Sequence, residues 1–282
     1  MQFKNVPAQL FVPDGLANEA ALARTTHIGI GAHQDDLEIM AIDGILQCFQ
    51  QTGKWFTGVV VTNGSGSARS GLYQDYTDDQ MREVRNKEQK KAAVIGEYAA
   101  LVLLDYSSSA VKDGADQSPV DDFEALLKAA QPEVVYTHNL ADKHTTHVGV
   151  AVKVIKALRR LPQAERPKQI YGCEVWRDLD WMIDDDKVGF DVSSQEGVQS
   201  ALVGVFDSQI SGGKRYDLAT MGRRRANATY HASHATDITT GLVFAMDLTA
   251  LVEDSDKDIQ TYVQEYIDHF KQDVQDRLRS VL

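Results

Sequence analysis

Between Thr26 and Val175 the chain alternates short apolar segments with longer segments of helical periodicity. Five of the short segments have the length and composition of buried strands, and they cover residues 26–32, 55–62, 100–104, 133–137 and 169–175. Strands that alternate with helices form a parallel sheet, because each right-handed crossover returns the chain to the same edge. The pattern predicts a doubly wound, Rossmann-like α/β fold of three layers with the strand order 3-2-1-4-5.

After residues 25–175, the predicted core, the pattern loosens. In residues 176–282 two segments, 188–192 and 241–248, are typical of strands. Apolar residues then recur at steps of three and four along a long final helix, a stripe typical of core or subunit packing. The stripe consists of Ile259, Val263, Ile267, Phe270, Val274, Leu278 and Val281. We predict one domain over residues 1–282, with a C-terminal α+β extension that ends in this helix.

The first strand leads directly into side chains of metal-binding types. His33, Asp35 and Asp36 follow it, and apolar residues at helical spacing begin at Leu37. The carboxyl edge of a parallel sheet is where such folds place their ligand sites. His33 and Asp36 are three residues apart, so at a helix start they can point the same way and bind one metal ion. Asp35 lies between them and faces a different direction, which leaves it free.

A second polar group follows the fourth strand. His144 and His147 are again three residues apart at the start of a helix. In the predicted order the first and fourth strands are neighbours, which brings the two groups together. This loop can supply one further ligand and one free imidazole. Three protein ligands with an open fourth position are the pattern of a catalytic zinc site rather than a structural one.

Both polar groups resemble the motifs of the LmbE/PIG-L family of zinc-dependent de-N-acetylases. The family carries A-H-P-D-D-E and H-P-D-H, where this chain has A-H-Q-D-D-L-E over residues 32–38 and H-T-T-H over residues 144–147. Gln34 replaces the proline and Leu37 stands where the glutamate usually falls, but no ligand position is lost. Thr146 replaces the aspartate of the second motif, a carboxylate that normally sets the orientation of a neighbouring histidine.

The resemblance assigns a role to each of these side chains by position. It implies that His33, Asp36 and His147 bind zinc, that Asp35 is the general base, and that His144 stabilises the oxyanion. It further implies hydrolysis of the N-acetyl group of an amino sugar or its glycoside, with release of acetate. Cleavage of a non-acetyl amide of a sugar or thiol conjugate is the alternative. The family also suggests a homo-oligomer, which the stripe on the final helix allows.

Two further residues are candidates for substrate binding. Arg85 and Glu88 match an R-x-x-E pattern of the resembling family, in which the arginine can reach substrate, although an ion pair on the helix surface explains them equally well. Asp105 ends the third strand at the same sheet edge and can bind sugar hydroxyls or serve as a turn residue. The Gly/Ser loop over residues 63–78 is long for a connection, which favours a lid or substrate loop.

The basic cluster Arg223 to Arg225 stands out in an acidic chain and is followed by His231 and His234. It can hold acidic or hydroxyl groups of a substrate, and one histidine can complete the active site. For each residue taken alone we favour a solvated helix end with internal ion pairs. The roles of these five residues are not decided by the sequence.

Charge and composition exclude several classes of protein. The net charge of −12 and the pI near 5.1 argue against nucleic acid or an anionic membrane as the main partner and favour a neutral or cationic ligand. Cys48 and Cys173 are too few and too isolated for a disulfide framework. The N-terminal residues lack the profile of a signal peptide, and no apolar run reaches the length of a membrane span. We expect a cytoplasmic protein.

Two rival functions are weaker. A receiver-type signalling domain also gathers acidic residues after the first and third strands, as Asp35, Asp36 and Asp105 would do. It requires a lysine after the fifth strand, where Glu174 stands, and it leaves the histidines unexplained. A sugar-binding pseudoenzyme has no need of Asp35, a carboxylate free beside the metal.

Overall fold

The computed structural model describes residues 2–282. Within these residues one mixed sheet of eight strands runs through the chain, in the order β1-β4-β3-β2-β5-β6-β8-β7. The strands are β1 (Gln9–Phe11), β2 (His27–Gly31), β3 (Phe56–Thr62), β4 (Ala100–Tyr106), β5 (Val134–His138), β6 (Gln169–Cys173), β7 (Val188–Asp191) and β8 (Leu242–Asp247).

Helices cover both faces of the sheet. They are α1 (Asn18–Ala23), α2 (Asp36–Met40), α3 (Ile42–Cys48), α4 (Asp78–Ile95), α5 (Ser108–Lys112), α6 (Ser118–Ala130), α7 (Thr145–Arg160), α8 (Glu196–Gly204), α9 (Asp207–Ile210), α10 (Tyr216–Tyr230), α11 (Ala250–Glu253) and α12 (Ile259–Val281). Short 3₁₀ turns lie at residues 71–73, 163–165 and 184–186. Thr77 caps α4, because its side chain accepts the amide of Gln80 while the Gln80 side chain accepts that of Thr77.

The predicted order of the five core strands is confirmed. Strands β4, β3, β2, β5 and β6 are parallel neighbours, which is the order 3-2-1-4-5 in chain sequence. The strands β2 and β5 pair directly, with His27 opposite Val134. The loops that follow these two strands therefore leave the sheet side by side.

Alternating side chains of each strand feed two separate hydrophobic cores. On β3, Val59 and Val61 belong to one core, whereas Phe56 and Val60 belong to the other. Helices α6 and α7 pack on the first face, and α2, α3 and α4 pack on the second. Because successive strand side chains point to opposite faces, this division confirms the three-layer arrangement.

A buried arginine breaks the helix that the sequence predicts after His33. The guanidinium of Arg224 donates from Nη2 to the carbonyl of Glu38 at 2.7 Å and to that of Ile39 at 3.4 Å. These carbonyls would otherwise accept the amides of residues 42 and 43. Helix α2 therefore ends at Met40, and α3 starts anew at Ile42. Arg224 is 2% exposed, so it is not the solvated helix end that we favoured from the sequence.

The two ends of the chain extend the same sheet. Residues 9–11, which showed no strand pattern, form β1 and pair antiparallel with β4. Strands β7 and β8 of the C-terminal extension continue the sheet antiparallel beyond β6. On α12, Ile259 and Val263 pack against the core, whereas the stripe from Ile267 onward is 39–79% exposed. The homo-oligomer stays a prediction.

No helix among residues 2–282 combines the length and the apolar character that crossing a bilayer requires.

Gly44 allows α3 to pack directly against Tyr136 of β5. A Cβ at this position would lie 2.5 Å from Cε2 of Tyr136. The Tyr136 ring is buried, and its hydroxyl donates to Oδ2 of Asp43 at 2.7 Å. We expect Gly44→Ala to lower the free energy of unfolding by about 1–3 kcal/mol, the usual cost of overpacking. Gly197→Ala is the matched control, since its Cβ on α8 meets no atom within 4 Å. Urea unfolding of both variants checks this, and equal stability would contradict it.

Candidate metal centre and active site

Three side-chain atoms converge at the carboxyl ends of β2 and β5. Nδ1 of His33 lies 3.2 Å from Nε2 of His147 and 3.2 Å from Oδ2 of Asp36. The third distance, from Nε2 of His147 to Oδ2 of Asp36, is 3.4 Å. The loops after β2 and β5 thus bring together the three residues that the sequence predicts as metal ligands.

The spacing of these atoms fits a metal ion. Zinc bonds to nitrogen and oxygen are near 2.1 Å, so neighbouring corners of a tetrahedron around zinc are about 3.3 Å apart. Burial lowers the pKa of His147 to about 4, which keeps its imidazole in the neutral, metal-binding form. Burial alone would raise the pKa of Asp36, but the imidazoles of His147, His138 and His33 hold it well below its usual range. The donor set is one carboxylate and two imidazoles.

His138, the last residue of β5, lies next to this centre, although no motif in the sequence assigns it a role. Its Nε2 lies 3.4 Å from Oδ2 of Asp36 but accepts the backbone amide of Ala32 at 2.8 Å. That bond uses the lone pair which a metal would need. The ring stacks on His147 with the centroids 3.8 Å apart. His138 therefore ties the His33 loop to β5 and supports the ring of His147.

Asp142 supplies the carboxylate that the second motif lacks at Thr146. Its Oδ2 lies 3.6 Å from Nδ1 of His147, and its Oδ1 accepts the amide of His144 at 2.8 Å. At 3.6 Å this contact is longer than a hydrogen bond, and Nδ1 of His147 has no hydrogen-bond partner among residues 2–282, so Asp142 acts on the ring through its charge. The side chain of His144 points beside His147, with the centroids 4.6 Å apart. Burial, followed by the charge of His33, lowers the pKa of His144.

The carboxylate of Asp35 pairs with Arg85 and is not one of the three converging ligand atoms. Its backbone is left-handed, with φ at 89°, and its amide donates to Oε1 of Gln89 at 3.1 Å. Nη2 of Arg85 donates to Oδ2 of Asp35 at 3.1 Å and also to the carbonyl of Gln34. Burial, with a further contribution from Asp36, raises the pKa of Asp35 to about 6 against the opposing effect of Arg85. A non-glycine residue in this conformation persists where its surroundings impose it.

An open cavity of about 790 Å³ leads to these residues. Asp35, Asp36, His33 and His144 lie in its wall, and so does Arg85. The Gly/Ser loop contributes residues 63–68, in agreement with the predicted substrate loop. This volume is within the range of sites for small-molecule ligands.

The structure does not bring Asp105 into the cavity. Arg82 binds both of its carboxylate oxygens, at 2.6 and 2.5 Å, which leaves little capacity for sugar hydroxyls. The acidic triad of a receiver domain is therefore not assembled either. His231 and His234 are exposed and lie outside the cavity lining. Of the basic cluster, Arg223 lines the cavity, and Arg225 is exposed and paired with Glu196.

A known family model matches part of the core. Residues 28–158 match the model of the PIG-L family, described as GlcNAc-PI de-N-acetylase. No curated protein matches the chain in sequence.

Solved structures share the fold at low sequence identity. The 4-carboxy-2-hydroxymuconate hydratase GalB from Pseudomonas putida KT2440 is 17% identical over 79% of this chain and 95% of its own, with a TM-score of 0.62. The N,N'-diacetylchitobiose deacetylase from Pyrococcus horikoshii is 14% identical over 79% and 84%, with a TM-score of 0.58. The zinc-inhibited form of teicoplanin deacetylase Orf2 is 13% identical over 82% and 100%, with a TM-score of 0.54. At these identities the likeness establishes the fold, not the reaction.

The geometry predicts about one divalent metal ion per chain. Asp36→Asn removes a ligand charge and is expected to lose the metal. Asp35→Asn is expected to keep it, because Asp35 pairs with Arg85 and is not one of the three converging ligands. Elemental analysis of the purified variants after dialysis checks the difference, and circular dichroism confirms that both are folded. Equal metal content in the two variants would refute the assignment.

We expect His138→Leu to weaken metal binding about 10- to 100-fold, the usual effect of losing a residue that orients a ligand. The change also leaves the buried amide of Ala32 without an acceptor, which costs about 1–3 kcal/mol of stability. His138→Gln keeps an acceptor and is expected to restore most of the affinity. Competition with a chromophoric chelator measures the metal affinity of the wild type and of the two variants. A loss of stability without loss of affinity would limit His138 to a structural role.

Proposed function

We propose that this protein is a zinc-dependent hydrolase of N-acetylated amino sugars, and the match of residues 28–158 to the PIG-L family model supports this proposal. It removes the acetyl group from the free sugar or its glycoside and releases acetate. The observation that carries the proposal is the arrangement of the two adjacent aspartates. Asp36 completes a set of three metal ligands, while Asp35 faces the cavity without being one of them. A metal-binding protein without hydrolytic activity has no use for this second carboxylate.

The three metal ligands and the carboxylate of Asp35 have complementary roles in the proposed reaction. A zinc ion held by His33, Asp36 and His147 would supply a Lewis acid that polarises the amide carbonyl and lowers the pKa of water. Asp35 accepts the proton of the attacking water and passes it to the leaving amine. Its raised pKa suits both steps, because a carboxylate with a pKa of about 6 takes up a proton more readily than an ordinary one.

His144 is positioned to stabilise the oxyanion. The second motif places it beside His147, and its ring forms part of the cavity wall. Nδ1 of His144 is buried without a hydrogen-bond partner among residues 2–282. The imidazole donates a hydrogen bond to the oxygen of the tetrahedral intermediate, a contribution of about 3 kcal/mol to transition-state stabilisation in comparable sites.

The cavity offers further contacts to a sugar. Nη2 of Arg85 holds Asp35, while Nη1 lies 3.8 Å from Oε2 of Glu88 and has no hydrogen-bond acceptor among the described residues. The rings of Trp176 and Tyr216 lie at right angles in the same wall, 6.1 Å apart, and form an apolar surface for the sugar ring. We retain Arg85 as a substrate-binding residue. Asp105, held by Arg82, does not enter this proposal.

Acetate release from N-acetylglucosamine, N-acetylgalactosamine and their glycosides tests the function directly. Propionyl and longer N-acyl analogues distinguish an N-deacetylase from an amidase with a different acyl group. An unsaturated analogue, with a carbon–carbon double bond in place of the amide, tests for hydration. Hydration is the reaction named for the similar structure from Pseudomonas putida. Turnover of that compound alone would overturn the proposal.

The metal content of Asp35→Asn provides a control for its activity. We expect this variant to retain zinc while kcat falls by about two to four orders of magnitude, the range for a lost general base. Glu83→Gln on the exposed face of α4 is the matched control for removing one carboxylate charge and is expected to behave like the wild type. Near wild-type kcat in Asp35→Asn would contradict the mechanism.

A further inference from the structure

The cavity has the opposite charge balance from the chain as a whole. The sequence contains 29 basic and 41 acidic residues, yet five lysines and arginines and two aspartates line the cavity. The two aspartates are engaged, Asp36 with the imidazoles and Asp35 with Arg85. A concave site with one sign of charge concentrates ligands of the opposite sign. The remaining four cations are Lys112, Lys143, Lys214 and Arg223.

These four cations are not neutralised by the protein. Within residues 2–282, none of them comes within 4.0 Å of a carboxylate oxygen, although ion pairs are common elsewhere on the surface. The carboxylate of Glu174 accepts the amides of Leu179 and Phe244, and it interacts with the charge of Arg223 only at a distance beyond that of an ion pair. The positive charge at the cavity is therefore available to a ligand.

Two of the cations are held in place beside the reacting centre. The ammonium of Lys214 lies 5.0 Å from the ring centroid of Trp176, a cation–π contact. Trp176 also lies beside His144, whose ring is nearly parallel with its centroid 6.5 Å away. Nη1 of Arg223 donates to the carbonyl of Val175, the preceding residue, at 2.5 Å. Lys214 thus lies one aromatic ring away from the proposed oxyanion site, and Arg223 is held at the residue that precedes this ring.

We propose that the substrate carries an anionic group, a phosphate or a carboxylate, on the part of the molecule next to its N-acetyl group, and that Lys214 and Arg223 bind it. The inference rests on the proposed function and narrows the substrate class. It departs from the expectation of a neutral or cationic ligand, which used the charge of the whole chain. A guanidinium and an ammonium on one wall are suited to an anion, because charge-assisted hydrogen bonds are about twice as strong as neutral ones.

Three substrates test the proposal. N-acetylglucosamine 1-phosphate and a carboxymethyl N-acetylglucosaminide carry the two kinds of anion, and methyl N-acetylglucosaminide is their neutral counterpart. We expect the wild type to have at least tenfold higher kcat/KM for one of the two anionic compounds than for the neutral one. That advantage is expected to fall as sodium chloride is raised, because salt screens exposed charges. Which anion is preferred distinguishes a phosphorylated from a carboxylated substrate.

Substitutions of the two cavity cations test whether the preference for anionic substrates arises in the cavity. Lys214→Gln and Arg223→Gln are each expected to reduce the ratio of anionic to neutral kcat/KM about tenfold, mainly through KM. Lys91→Gln, an exposed lysine of α4 outside the cavity, removes the same charge and is expected to leave the ratio unchanged. Calorimetric titration with N-acetylglucosamine 1-phosphate measures binding without turnover.

The outcomes separate this inference from the function on which it rests. Equal hydrolysis of neutral and anionic compounds would overturn the inference while upholding N-deacetylation. Absence of acetate from every compound, with phosphate-sugar binding that Lys214→Gln abolishes, would overturn the proposed reaction and support the anion site. A ratio that falls as much in Lys91→Gln as in Lys214→Gln would show a general effect of net charge and contradict the inference.

Discussion

The burial of two adjacent carboxylates is the constraint around which this protein is built. Asp35 and Asp36 are both nearly inaccessible to solvent, and two neighbouring negative charges in a protein interior are costly unless each has its own partner. The turn separates them by placing Asp35 in a left-handed conformation. Asp36 then points towards the imidazole of His147 at the start of α7, and Asp35 points towards a guanidinium from α4. Two chemically identical side chains thereby acquire pKa values that are shifted in opposite directions, which is the basis of the different roles proposed for them.

Meeting this constraint requires contributions from distant parts of the chain. Gln89 of α4 accepts the Asp35 amide and also donates to Glu38, while Arg224 of α10 holds the carbonyls at the end of α2. Nε2 of His138 accepts the backbone amide of Ala32, the residue that precedes His33. The short helix that presents the aspartates is therefore fixed at its start, its side and its end. Such support keeps ligand atoms within a few tenths of an ångström of a productive geometry.

Much of this could be predicted from the sequence, because it depends on local pattern. Alternating strands and helices gave the order of the core strands, and that order brought His33, Asp36 and His147 together. The roles of His138, Asp142 and Arg224 could not be foreseen, since each depends on one contact with a residue remote in the fold or on the direction of one side chain. Asp105 stands at the expected sheet edge, yet Arg82 binds it outside the cavity.

The matched segment, residues 28–158, holds every proposed metal and catalytic residue, whereas Trp176, Lys214 and Arg223 come from the extension. One stretch of sequence thus contains the residues of the proposed reaction, and another contributes part of the cavity wall. Arg224, adjacent to Arg223, ties the second stretch to the first. Selectivity can therefore diverge through substitutions around this anchor without disturbing the ligands. Exchange of the extension between homologous proteins, with the anchor retained, becomes a rational route to redesigned substrate choice.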